Sequence, residues 1–298
     1  MLLGSILVLT LPLHQGRVDA QLVFVGTGEA LDPTLPNTSL LVRGPQTLLL
    51  DCGYAVPHAL WKLSRDVDLL DAVWISHVHA DHAFGLPALL LWMRLGGRTR
   101  PLTLLCGPGR AADLQQVLEL GYPGSFAPSK CYPIEWRELE SGPAHRFGDW
   151  ELQVAASRHS VPNHALRLEA AGLRSLVYSG DGGPTPQTEE LCEGASLLVH
   201  ECFFAAAPGS GPDSGPSKHG DLDGCLALAR RAGVDTLALL HFAAEAKREL
   251  LLAAREQANR LGHLFELLLP GPGDRVSLIP PAPLDPEPTP GSTPGNPA

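Results

Sequence analysis

The chain lacks paired cysteines, an excess of basic charge and any apolar run long enough to cross a bilayer. Its six cysteines, at 52, 106, 131, 192, 202 and 225, show no CxxC spacing. In a chain of 298 residues they read as reduced thiols rather than a disulfide framework, and a cysteine-built zinc site is disfavoured with it. A formal charge of −10 leaves no protein-wide cationic field of the kind nucleic-acid binding usually needs, although a local basic patch is still allowed. The apolar stretch from Leu2 to Leu13 has twelve residues, too few for a membrane span. Followed by Val18-Asp19-Ala20, it has the outline of a secretory signal with a small-residue cleavage site. Its n-region carries no Lys or Arg, and the cysteines show no adaptation to an oxidising compartment. Residues 1–20 are therefore read as an N-terminal extension of a cytoplasmic protein, with export as the alternative. Gly26-Thr27-Gly28 is followed neither by GK[ST] nor by a third glycine, so a nucleotide cradle there is weakly signalled.

What is present is a core-forming share of apolar residues, 44 %, and one dense stretch of chemistry, His77-Val78-His79-Ala80-Asp81-His82. It follows the apolar run Leu69 to Ile75, which reads as a buried strand, and precedes Phe84-Gly85-Leu86-Pro87, which opens a helix. Three imidazoles and a carboxylate in six residues are the ligand types that zinc and its neighbours accept. His77 and His79 share one side of an extended chain, and Asp81 and His82 lie past the turn, where they can face a second ion. The chain holds twelve histidines in all, so this clustering is hard to ascribe to a polar loop that happens to be rich in them.

Elsewhere, β-prone runs at 21–25, 38–42 and 47–50 are punctuated by Gly-rich turns, the last two forming a hairpin closed by Asp51-Cys52-Gly53. Helices are expected at 55–65, 84–95, 111–120, 222–232 and 244–261, and further strands at 101–106, 131–136, 150–155, 165–168, 175–179, 195–200 and 236–241, with a last strand pair within 264–278. Either His159 or His164, which flank the turn Ser160-Val161-Pro162-Asn163, could be a ligand. Asp181 sits between glycines at a strand end, and His241 ends the 236–241 strand much as His77 ends its own. Residues 205–218 consist largely of Pro, Gly and Ser and read as a mobile loop; residues 280–298 read as a disordered Pro-rich tail. One large domain is expected between them, over 21–279.

His77 to His82 resembles the HxHxDH signature of the metallo-β-lactamase superfamily, and Ser157-Arg158-His159 with Arg167, Ser179-Gly180-Asp181 and Leu239-Leu240-His241-Phe242 resemble its later motifs. The resemblance implies an α/β fold, the four-layer αββα metallo-β-lactamase sandwich. It implies two divalent metal ions, zinc first and manganese or iron as alternatives. His77, His79 and His159 would hold one ion, Asp81, His82 and His241 the other, and Asp181 would bridge, with Asp51 orienting a ligand histidine from behind. His200-Glu201 and His219 resemble the ribonuclease Z branch, in which the histidine contacts phosphate and the acidic residue orients it. The resemblance thus makes Asp81, His219 and Glu201 the catalytic residues of a dinuclear metal-dependent hydrolase working by attack of a metal-bridging hydroxide. In one respect the chain departs from ribonuclease Z. Only 21 residues separate His159 from Asp181, too few for the basic arm that transfer-RNA 3′ processing enzymes carry there. A small phosphodiester, such as a cyclic nucleotide or a nucleic-acid end, is therefore the expected substrate, extended nucleic acid is disfavoured, and a homodimer is allowed by the resemblance alone. Ribonuclease Z activity, or an ester, lactone or thioester hydrolase on the same fold, are the alternatives.

Overall fold

A computed structural model describes residues 20–205, 218–261 and 264–281. The expected N-terminal extension, the Pro/Gly/Ser-rich loop and the Pro-rich tail lie outside those residues, their border residues excepted.

The chain first lays down β1 (Gln21–Gly26), β2 (Ser39–Arg43) and β3 (Leu48–Leu50) as an antiparallel meander. It then winds through α1 (Val56–Leu63), β4 (Ala72–Ile75), α2 (Ala80–Ala83), α3 (Leu86–Leu95), β5 (Leu102–Cys106), α4 (Ala111–Gly121) and β6 (Ile134–Glu138), with the strands now parallel. The second half has a similar layout. β7 (His145–Phe147), β8 (Trp150–Ser157) and β9 (Asn163–Glu169) run antiparallel, and β10 (Leu176–Tyr178) pairs antiparallel with β9. After β10 come α5 (Pro186–Cys192), β11 (Leu197–Glu201), α6 (Leu222–Ala232), β12 (Thr236–Leu240), α7 (Lys247–Leu261) and β13 (Glu266–Leu268), all four strands from β10 parallel. β14 (Arg275–Ser277) returns to the first sheet beside β1. The two seven-stranded sheets have the orders β14-β1-β2-β3-β4-β5-β6 and β13-β12-β11-β10-β9-β8-β7.

Alternating residues explain how these sheets stack. In β1, Leu22 and Phe24 face the second sheet, while Val23 and Val25 face helices; in β4, Ala72 and Trp74 face inward and Val73 and Ile75 outward. The central layer joins Leu22, Phe24, Trp74 and Leu50 of the first sheet to Trp150, Leu166, Tyr178 and Val199 of the second. A second apolar layer lies under α1, α3 and α4, and a third under α5, α6 and α7. Helices, sheet, sheet, helices is the four-layer αββα sandwich the sequence implied.

Local chemistry sets several boundaries. Asp221 caps α6 by accepting from Gly224 N, and Gly233 ends it in the left-handed region at φ 64°. The strand pair expected within 264–278 requires correction. Both strands form, but β13 pairs with β12 and β14 with β1, so they belong to different sheets. Three short elements, α2, β7 and α5, were not foreseen. No helix among the described residues is long and apolar enough to cross a membrane.

Candidate metal centre

The candidate ligands gather at the ends of four strands that open on one edge of the sandwich. His77 and His79 follow β4, and α2 then turns Asp81 and His82 back toward the same point. His159 follows β8, Asp181 follows β10, and His241 follows β12. Two overlapping groups result, His77, His79, His159 and Asp181, and Asp81, His82, Asp181 and His241, each with its ligand atoms within 4.8 Å of one another. Asp181 belongs to both groups, as a bridging carboxylate would.

Each imidazole is held by the nitrogen that faces away from the centre. His82 Nδ1 lies 2.7 Å from Asp51 Oδ2, and His159 Nδ1 lies 3.1 Å from the Lys218 carbonyl oxygen. Both partners can only accept, so both nitrogens carry protons. Ser76 Oγ donates to Asp51 Oδ2 at 2.7 Å and therefore accepts from His77 Nδ1 at 3.0 Å. Thr38 Oγ1 donates to the Gly28 carbonyl at 3.1 Å and accepts from His241 Nδ1 at 3.0 Å. His79 is turned the other way round, with Nε2 3.4 Å from Ser160 Oγ. Imidazoles fixed in this manner aim their inner nitrogens at one another. His77 Nε2 is 3.0 Å from His79 Nδ1, which is 3.1 Å from His159 Nε2. Across the shared carboxylate, His82 Nε2 is 3.2 Å from Asp181 Oδ1 and His241 Nε2 is 3.2 Å from Asp181 Oδ2. Converging acceptors at such distances repel unless a proton or a cation lies between them, and the nitrogen–oxygen donor set suits divalent transition metals. The buried His82 Nε2 and Asp181 Oδ1 have no hydrogen-bond partner, which fits the same reading.

The electrostatics agree. Burial and the charge of His82 hold His77 well below the ordinary imidazole range, against the pull of Asp181. His82 is also desolvated by burial, yet Asp181 and Asp51 on its two sides outweigh that and raise it well above. Burial works to raise Asp181, but the charges of His241 and His82 overcome it and hold the carboxyl well below its usual range. These are the signs of a site that concentrates negative charge around buried nitrogens, where a cation is welcome.

The frame behind the ligands is equally buried. Asp51 accepts from Ser76 N at 2.7 Å, Ser76 Oγ and His82 Nδ1, and from Tyr178 OH at 2.6 Å across the gap between the sheets. Asp51 at φ 61° and His241 at φ 59° are the non-glycine residues with left-handed backbone among those described, each one residue past a strand. The Gly26-Thr27-Gly28 turn lies under the site; Thr27 O accepts from His241 N at 3.0 Å. Gly180 needs its glycine, because at φ 59° a Cβ would stand 2.5 Å from Asn163 Oδ1 and 2.7 Å from Ser76 Cβ.

His219 stands beside the first group, its ring centroid 4.8 Å from that of His159 and its Nδ1 3.1 Å from Glu201 Oε1. Glu201 is fully buried and also accepts from Gly182 N at 2.5 Å, which ties it to the turn carrying Asp181. Burial opposes a charge on His219, but the Glu201 hydrogen bond and charge prevail and raise it. His164 lies in strand β9 rather than in a loop, outside both ligand groups and packed against Gly107. Arg167 pairs with Glu169 and donates to the Leu191 and Glu193 carbonyls at the end of α5, so its work is structural. Thr38, Ser76, Ser160, Tyr178 and Phe203 were not anticipated, since nothing local in the sequence marks a partner up to 203 residues away.

The family model described as "Anti-Pycsar protein Apyc1" matches residues 20–212. Ribonuclease BN of Cronobacter sakazakii is 26% identical over 285 residues, covering 77% of this chain and 91% of that protein. The metallo-beta-lactamase fold protein YhfI from Bacillus subtilis shares the fold at a TM-score of 0.69 and 20% identity, covering 86% of this chain and 98% of that one. Human tRNase Z, short form, does so at a TM-score of 0.67 and 19% identity, covering 87% of this chain and 99% of that one. With more than half of its length matched, the chain belongs to the family of the anti-Pycsar protein Apyc1; it has the metallo-β-lactamase fold and is similar in sequence to ribonuclease Z-type proteins.

Proposed function

We propose that the chain is a dinuclear metal-dependent phosphodiesterase acting on a small phosphodiester, such as a cyclic nucleotide or a nucleic-acid end. The reading is carried by two groups of inward-facing nitrogens and carboxylates that share Asp181, with the His219–Glu201 pair beside them. His77, His79 and His159 would hold one divalent ion, and Asp81, His82 and His241 the other, with zinc the ion that this nitrogen-rich set favours. Bound there, the ions supply Lewis acidity that acidifies water and polarises a phosphoryl oxygen.

The chain's own residues do the rest. Burial works to raise Asp81, but the charge of His82, 3.3 Å away, and that of His241 outweigh it and hold the carboxyl pKa down to about 2, so Asp81 stays a carboxylate and accepts the proton of the attacking water. Glu201 Oε1 fixes His219 through Nδ1, which leaves Nε2 to give a proton to the departing oxygen. β9 and β10 occupy the interval between His159 and Asp181, so the polymer-gripping arm has no place there. The net charge of −10 offers no general substitute for it, which supports a compact substrate. Relatives named ribonuclease Z and ribonuclease BN support a second reading, cleavage of a transfer-RNA 3′ trailer.

Six unpaired cysteines support a cytoplasmic location. A second copy of the chain is the protein partner proposed, and the apolar cleft lined by Trp61, Trp92, Leu95 and Tyr122 offers it a face. Metal stoichiometry on purified protein, with rates on bis(p-nitrophenyl) phosphate, 2′,3′- and 3′,5′-cyclic nucleotides, nitrocefin, a lactone and a pre-tRNA, tests the proposal. Two ions and a preference for the small phosphodiesters are expected. One ion, or turnover of the acyl substrates alone, would overturn it; preference for the pre-tRNA would establish the second reading.

A further inference from the structure

We propose that Phe203 is a positioning residue for His219, setting the tilt of the imidazole that protonates the leaving oxygen. This rests on the reading of His219 as the acid of a phosphodiesterase. The Phe203 ring stacks on the His219 ring with centroids 4.7 Å apart and planes 30° from parallel. Phe204 braces Phe203 edge-on, at 4.9 Å and 82°.

The backbone makes this stack a built feature. Phe203 N and Phe204 N both donate to the Gly220 carbonyl, at 3.0 and 3.2 Å, and Leu222 N donates to the Phe204 carbonyl at 3.0 Å. The strand leaving β11 is thus laced to the segment entering α6, and Phe203 and His219 sit on the two sides of that lacing. A third bond, Ala243 N to the Phe203 carbonyl at 3.3 Å, ties the same residue to the chain just past His241.

Glu201 holds the imidazole at one edge, through Nδ1. Phe203 packs along its face. An edge contact and a face contact together restrain where Nε2 points. In the step itself the phosphorus–oxygen bond breaks with its electron pair kept by the leaving oxygen. His219 Nε2 gives that oxygen its proton, and the ring ends neutral. Phenylalanine can neither ligate a metal nor exchange a proton, so any effect on the chemistry has to pass through its neighbours.

The test is a leaving-group comparison in the metal-loaded, full-length protein, using a 3′,5′-cyclic nucleotide, whose leaving group is an alkoxide, and bis(p-nitrophenyl) phosphate, whose leaving group needs little protonation. Phe203→Leu should lower kcat on the cyclic nucleotide by about 3- to 30-fold, with KM and metal stoichiometry unchanged and the aryl substrate nearly unaffected. Phe203→Tyr should restore the rate. In a His219→Ala background, Phe203→Leu should cost nothing further, since two residues acting as one unit are not additive. Equal losses on both substrates, or a loss that adds to that of His219→Ala, would overturn the proposal, as would a wild-type rate for Phe203→Leu. If His219→Ala itself discriminated between neither substrate, the acid reading would fall and this proposal with it. Should Phe203→Leu not fold, Phe203→Met supplies the same comparison.

Discussion

Replacing Asp51 with asparagine probes the frame behind the metals without touching a proposed ligand. Asp51 Oδ2 takes three donors, Ser76 Oγ, His82 Nδ1 and Tyr178 OH, and Oδ1 takes Ser76 N. An asparagine amide has one carbonyl oxygen. Its least damaging orientation keeps that oxygen on the crowded side, which sets its NH₂ against Ser76 N–H and turns three charge-assisted bonds into neutral ones. Charge-assisted bonds contribute about 1 kcal/mol more than neutral ones, and an orphaned buried donor costs about 1–3 kcal/mol, so the loss is on the order of 4–6 kcal/mol. Asparagine tolerates the left-handed backbone that Asp51 adopts at φ 61°, so the substitution isolates charge from strain. Because the anchor of His82 weakens directly and that of His77 weakens through Ser76, metal affinity should fall by about 10- to 100-fold. Chelator competition and melting curves with and without zinc measure both quantities. An Asp51→Asn protein that bound two ions and melted as wild type does would refute the assigned role.

Asp81→Ala should abolish turnover while the first ion is retained; near-normal activity with two ions bound would contradict it, and metal analysis beside a rate assay decides. His219→Ala should keep both ions and lose about 10²–10⁴ in phosphodiester cleavage, whereas lost metal would make His219 a ligand. Asp32, beside Lys247 Nζ at 2.7 Å, is held down at about 2 by that pair and by Thr34 and Leu35 donors, in spite of its burial. A carboxyl whose folded pKa lies below its unfolded value stabilises the fold above about pH 4, and that stability drains away between about 4 and 2. Asp32→Asn should therefore be less stable near neutral pH, and urea unfolding across that window should show a shallower acid loss; an unchanged profile would count against the pair.

The motif from His77 to His82 was legible because its ligands are neighbours in sequence, and α6 was legible to the residue because Asp221 and Gly233 mark its ends. Strands buried on both faces, such as β4 and β11, announce themselves as continuous apolar runs. Pairing is another matter. β13 and β14 lie close in sequence yet join different sheets, β13 beside β12 and β14 beside β1, and nothing within 264–278 marks which partner each will take. β7, three residues long and half exposed, carries too little alternation to be seen. The outer partners of the ligands were hidden for a similar reason. Thr38 and His241 meet only because β2 begins and β12 ends at the same edge of two different sheets. His159 and His164 stood as equals by spacing, and it is the alternation of β9 that turns His164 toward Gly107 and away from the centre.

The division of donors between the two halves of the sandwich has a mechanical meaning. His77, His79, Asp81 and His82 come from the first sheet, whereas His159, Asp181 and His241 come from the second. Neither slab can grip a cation unaided, so an ion seated there works as a rivet through the seam, and Tyr178 reaching across to Asp51 is a peg beside it. Stripping the metal should accordingly loosen the molecule along that join first, with each slab keeping its own helices, and the seam is where amide exchange would quicken before anything else moved.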